Sequence, residues 1–337
     1  MIVQFRTKVG PLDGWGNLFR LVALANFCLS RGELEAQFVV EGPEAAVVEL
    51  IRQHGFSVTV LPEGVGVEDE RRIQEDLPEA SIIIVEMLNC TYERQSMLRR
   101  RTNKLVVFDD LLDQRFSADL VIGCQELPGY GNKSISDSHT KFLHGYEYFV
   151  FKNGYRKYCR QDRNYSDRVQ RILVILGGGH YDEAYIKVAR AINMLGTGRK
   201  VRFILGPAEN TSLKKAIYSS LPNSEICGLD DDVYRQLWET DLAVVSGGYL
   251  KIEAALTRTP AVIIATQWHQ IPLAEIFHQK SGMPYVGYKG FCTEDEIAVK
   301  LSDLMPLDAR LELLKTYPSF DEFGLERVYE EVFRGVN

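Results

Sequence analysis

Three glycine-rich turns carry the residue types best suited to gripping an anion. They are Gly10-Pro-Leu-Asp-Gly-Trp-Gly-Asn17, Leu176-Gly-Gly-Gly-His180 and Val245-Ser-Gly-Gly-Tyr-Leu-Lys-Ile-Glu253. Glycines at Gly14, Gly16, Gly177, Gly178, Gly179, Gly247 and Gly248 allow close backbone approach to a ligand. A helix opening after each turn would present N–H groups to negative charge. In the third turn, after Ser246, the N–H groups of Gly248 and Tyr249 suit an anion such as a diphosphate. Glu253, one turn into the following helix, could accept two hydroxyls of a ribose. Further on, Gln267-Trp-His269-Gln270 sets polar groups beside an aromatic, which suits a sugar. His180 could donate to a phosphate or transfer a proton, and Asp13 could serve as a base from the first turn. Each has a plainer alternative: a tight turn with Asn17 as N-cap, a hydrogen-bonded structural His180, a surface Glu253, and a solvated loop at 267–270.

Other chemistries lack their residues. The first turn is not a full G-x-G-x-x-G, and no G-x-x-x-x-G-K-[ST] or G-x-S-x-G is present. The six cysteines, at 28, 90, 124, 159, 227 and 292, include no C-x-x-C pair. They read as reduced, buried thiols, and no metal site is expected. Arg99-Arg-Arg101 reads as a solvated helix end, and Asp109-Asp110 as a turn at a strand end that could face a cleft. Lys+Arg number 39 and Asp+Glu 46, a net charge of −7. That balance argues against nucleic-acid binding, which needs a cationic surface. No apolar run is long enough to span a bilayer, and MIVQFRTKVG lacks a signal-peptide pattern, so a cytoplasmic location is expected.

The elements that must position these turns alternate short β-branched runs with helix-period segments. The chain of 337 residues is long enough for two domains of roughly 150 residues. Strands are expected at 2–6, 37–41, 57–61, 81–86, 104–109 and 120–124. Helices are expected from about Asn17 and at 43–54, 67–77 and 91–101. Residues 126–168 read as an irregular connection containing the linker. The pattern resumes with strands at 171–176, 200–205, 225–228, 241–245 and 261–265. Helices follow at 183–195, 211–221, 231–239, 249–258 and 271–280, then near 293–304, 308–315 and 324–334. Strands joined by crossover helices imply parallel sheets covered on both faces. The expectation is two Rossmann-like domains, 1–160 and 161–337, facing each other across a cleft. In such sheets ligands bind outside the carboxyl ends of the strands, where all three turns fall.

Taken in order, several motifs resemble the UDP-sugar hydrolases of the pseudaminic acid pathway, which are relatives of MurG-type glycosyltransferases. They are Phe5-Arg6, Gly14-Trp-Gly16, Val106-Val-Phe-Asp-Asp-Leu111, Leu176-Gly-Gly-Gly179, Phe203-Ile-Leu-Gly-Pro207, Val245 to Glu253, and Asp321-Glu-Phe-Gly-Leu-Glu-Arg327. The resemblance runs thinly over nearly the whole chain. It implies a GT-B fold, metal-independent chemistry without a cofactor, and UDP in the second lobe. It would put Ser246, Gly247, Gly248 and Tyr249 at the diphosphate, Glu253 at the ribose, and Gln270 near the sugar or phosphates. That family's first-loop motif ends in a His thought to deprotonate the attacking water. Asn17 stands there instead, and an amide is no general base, so Asp13 and His180 become the candidates. The expected activity is transfer of a sugar from a nucleotide-sugar donor, UDP-linked, to a small-molecule or glycan acceptor, in cell-surface glycan or nonulosonic-acid-type biosynthesis. A hydrolase of the same donor and a non-catalytic nucleotide-sugar-binding protein are the alternatives.

Overall fold

The computed structural model describes residues 1–10, 15–32, 34–126, 137, 139–152, 154–159, 163–179, 181–196, 198–206, 210–228 and 232–336. The chain divides into two compact units, Met1–Lys152 with Asp321–Asn337, and Asn153–Phe320.

The first unit alternates β1 (Ile2–Lys8), α1 (Gly16–Arg31), β2 (Glu35–Glu41), α2 (Ala45–Gln53), β3 (Ser57–Leu61), α3 (Val67–Glu75), β4 (Ala80–Glu86), α4 (Tyr92–Arg99) and β5 (Thr102–Phe108). Strands β6 (Leu120–Gly123) and β7 (Lys141–His144) complete it. All pairings are parallel, in the order β3-β2-β1-β4-β5-β6-β7. Burial on both faces explains why β4 reads Ile82-Ile-Ile-Val85 without alternation: all four are essentially inaccessible. Helix α1 buries Leu18, Leu21, Val22, Leu24, Ala25 and Cys28. Asn17 does not cap it; Trp15 holds that position and Asn17 lies inside the first turn.

The carboxyl edge of this sheet is ionic. Arg6, fully buried, meets Glu70 at 2.6 Å and Glu41 at 2.8 Å. Arg20 meets Glu86 at 2.6 Å. Buried charges survive only when paired in this way. Asp109 accepts from the Leu111 and Leu112 N–H groups and from Gln114, so it closes a turn. Its burial raises its pKa, against the pull of those bonds.

The second unit runs α5 (Tyr155–Cys159), β8 (Arg171–Ile175), α6 (Asp182–Met194), β9 (Lys200–Ile204), α7 (Thr211–Ser220), β10 (Ser224–Cys227), α8 (Val233–Trp238), β11 (Leu242–Ser246), α9 (Leu250–Leu256), β12 (Ala261–Ala265), α10 (Gln270–Ser281) and β13 (Tyr285–Tyr288). Helices α11 (Glu294–Asp303) and α12 (Leu307–Thr316) follow. Its parallel order is β10-β9-β8-β11-β12-β13. Side-chain caps start α7 (Asn210), α8 (Asp232) and α11, where Thr293 and Glu296 form a capping box.

The last helix, α13 (Gly324–Phe333), belongs to the first unit. The division therefore differs from 1–160 and 161–337: the change of unit falls at Lys152–Asn153, and residues 321–337 return. Leu325, Val328 and Val332 form the buried face of α13, and Tyr329 meets Phe27 of α1 edge-on at 5.6 Å. A Cβ on Gly324 would lie 2.3 Å from the Phe149 carbonyl oxygen, so only glycine permits that approach. Two strands fall outside the elements expected from sequence, β7 and β13. Among the described residues, no helix is long and apolar enough to cross a membrane.

Candidate functional site

In the second unit the strand order reverses between β8 and β11. In an open parallel sheet, that switch point opens a crevice at the carboxyl ends. The loop after β8 carries Gly177–Gly179, and the turn after β11 carries Ser246–Tyr249. The loop after β12, next to β11, carries Thr266–Gln270. The tertiary structure thus gathers residues from three separate stretches onto one sheet edge.

Polar groups there have unused hydrogen-bonding capacity. Glu253, in α9, is 5% exposed, and no hydrogen bond or cation reaches its carboxylate among the described residues. The Ser246 hydroxyl and the Gly248 N–H are likewise without a partner among those residues. Gln270, 8% exposed, accepts from the Thr266 N–H at 2.9 Å and its hydroxyl at 3.1 Å through Oε1. A backbone N–H can only donate, so the amide orientation is fixed and Nε2 faces the other way. A Cβ on Gly248 would stand 3.4 Å from that Nε2, which places the side-chain donor against the turn. An unmet acceptor, hydroxyl and two donors on one edge describe a site for a polar ligand.

The remaining expected residues have mixed outcomes. Gly177 has φ +101 and needs to be glycine. A Cβ on Gly179 would meet the Tyr181 ring at 2.4 Å, and Gly178 abuts Gly206. Gly177 and Gly179 therefore answer to the conformation and packing of their own loop, and the backbone of Gly178 leaves no room for a Cβ on Gly206. His269 is the N-cap residue of α10 without a side-chain capping bond. Asn17 and Gly16 open α1 in the first unit. Asp13, Gly14 and His180 lie outside the described residues. Sequence reasoning passed over Lys251, Thr266 and Tyr181, whose hydroxyl accepts from Gln267 at 3.3 Å. The Lys251 signal was a lysine set between Leu250 and Ile252, in a helix whose other residues are apolar except for Glu253.

A cavity of about 840 Å³ opens at the opposite, amino-terminal edge of this sheet. Two of its arginines cap helix ends, Arg171 donating to the Glu239 carbonyl and Arg199 to that of Leu195, and the third, Arg202, pairs with Glu225 and donates to Gln236. They are accounted for structurally, and that cavity is remote from the turns.

No family model matches the chain. The solved structure of MurG from Acinetobacter baumannii superposes with a TM-score of 0.64 over 98% of both chains, at 13% identity. The fold is GT-B. A Staphylococcus aureus MnaA–UDP complex superposes with a TM-score of 0.67 over 98% of this chain and 96% of that one, at 11% identity. In sequence, the chain is 22% identical over 261 residues to the spore coat polysaccharide biosynthesis protein SpsG of Bacillus subtilis, covering 73% of this chain and 74% of that protein. The two-unit GT-B architecture thus accommodates UDP in at least one solved relative of the fold.

Proposed function

We propose that the chain is a nucleotide-sugar enzyme that binds a UDP-linked sugar at the carboxyl edge of the second sheet and transfers the sugar to an acceptor. The observation that carries this reading is the Glu253 carboxylate, which has no hydrogen-bond partner among the described residues and stands in the first turn of α9, after the Ser246–Tyr249 turn. A carboxylate in that state suits the two hydroxyls of a ribose, each donating to one oxygen. The Gly248 N–H, the Ser246 hydroxyl and the Gln270 Nε2 suit the diphosphate and sugar oxygens. The likeness to SpsG supports a role in polysaccharide biosynthesis.

In this mechanism the anomeric C–O bond breaks and its electron pair stays with the diphosphate. Fixed N–H donors at the turn stabilise that developing charge without reorganisation. The acceptor hydroxyl attacks the anomeric carbon and loses its proton to a base, for which Asp13 is our candidate, because its carboxylate ionises whereas Asn17 cannot. These donors would do the work of a divalent cation, so turnover should persist in EDTA.

UDP release from UDP-sugars, followed with and without glycan acceptors, tests the reading. Acceptor-dependent release is expected. Equally fast release in water alone would make the enzyme a hydrolase. An absence of thermal stabilisation by millimolar UDP would remove the proposal altogether. Asp13→Asn should lower turnover by about 10²-fold or more, the usual worth of a general base, with UDP affinity unchanged.

A further inference from the structure

We propose that Lys251 is a positioning residue that aims the amides of the diphosphate subsite; this rests on the reading of the site given above. Its side chain is fully buried, at 0% exposure, which is rare for lysine without dedicated partners. The ammonium donates to the Gly247 carbonyl at 2.6 Å and to the Gly248 carbonyl at 2.8 Å. It also lies 5.6 Å from the centre of the Phe277 ring. The consequence follows from peptide geometry. A trans peptide is planar, and its C=O and N–H point in opposite directions. The Gly247 carbonyl shares its plane with the Gly248 N–H, and the Gly248 carbonyl shares its plane with the Tyr249 N–H. Drawing both carbonyls onto one buried ammonium therefore turns both N–H groups to the opposite side.

Glycines at 247 and 248 leave these planes free to swivel, so something must fix them. The Gly247 N–H is tied to the Ile264 carbonyl at 3.1 Å, which anchors the preceding plane only. Lys251 fixes the next two. It stands in the first turn of α9 while its head reaches back to the turn, and its positive charge lies on the carbonyl side of the peptides whose amides would face a diphosphate. An apolar residue would fill the same volume but leave two carbonyls without that donor. Lys251 touches no ligand in this scheme; it acts through the turn.

Lys251→Met keeps a long unbranched side chain against Phe277 and removes the donors. Titrations of UDP and uridine into both proteins separate the possibilities. About tenfold weaker UDP binding is expected, with uridine affinity unchanged, because only the diphosphate reads the amides. Equal weakening of both ligands, or no weakening of UDP, would overturn the proposal. If the Met variant does not fold, Lys251→Leu, which likewise removes the donors, gives the same readout, with the same diphosphate-selective loss expected. Failure of the unmutated protein to bind either ligand would instead defeat the site reading on which the inference stands.

Discussion

Glu253 bears on ligand binding through one side chain. Its residue is largely covered and its carboxylate has no protein partner among the described residues, so ligand hydroxyls can donate to it. Glu253→Gln should weaken uridine and UDP alike. Hydrogen bonds to charged groups are worth roughly 1.5–3 kcal/mol, so calorimetry should show a loss of about ten- to a hundredfold. UDP binding left intact would place the carboxylate outside the site. The thiols make a second residue-scale case. Burial pushes Cys28 and Cys90 up to about 12 from an ordinary value of 9.0. The folded state then holds protons that the unfolded state releases above pH 9. Stability from these groups is complete below pH 9 and declines as pH rises toward 12. Denaturation midpoints measured between pH 8 and 11 should fall across that window. Alkylation at neutral pH should reach the half-buried Cys227 before either buried thiol.

Among the elements, α13 depends on one position. Gly324 opens the helix where the Phe149 carbonyl leaves no room for a Cβ, and Arg327 donates to the Glu147 carbonyl at 3.0 Å. Gly324→Ala should push the helix away from its seat and cost about 1–3 kcal/mol, the range for overpacking. Urea denaturation would show the shift. The same substitution at Gly32, where nothing lies within 4 Å and the backbone is extended, should change stability little. The element pattern itself was largely legible. Strand β12 carries the bounds expected from its apolar run, because a buried parallel strand must be apolar on both faces. The two strands that sequence reading missed are edge strands. Neither β7 nor β13 carries a continuous buried run, because one flank of an edge strand has no neighbour to hide it.

Across the whole molecule, the second unit is contiguous and the first is not. Residues 321–337 close the first unit after the chain has completed the second. Lys104 donates to the carbonyls of Glu331 and Arg334 at 2.7 and 2.9 Å, and Lys141 pairs with Glu331 at 2.7 Å. Removing residues 321–337 should expose the seats of Val328 and Val332 and loosen residues 1–152 selectively. Limited proteolysis should then cut the first unit much faster while residues 153–320 stay protected. Uniform sensitivity of both units would contradict the division.

The sequence by itself determined the alternation of strand and helix, the parallel character of both sheets and the glycine turns at strand ends. Those depend on local propensity and on periodicity over a few residues. Only the tertiary structure decided which side chains meet. Arg6 finds Glu70 across 64 positions of sequence, and no spacing rule encodes that pair. Glu253 reads from sequence as either a ribose acceptor or a surface carboxylate, and only the fold shows it largely covered and without a protein partner among the described residues; only the fold brings the Lys251 ammonium under two glycine carbonyls. The physical reason is the same in each case: what a charged group does depends on the water and the partners that packing removes or supplies, and packing is a property of the folded chain.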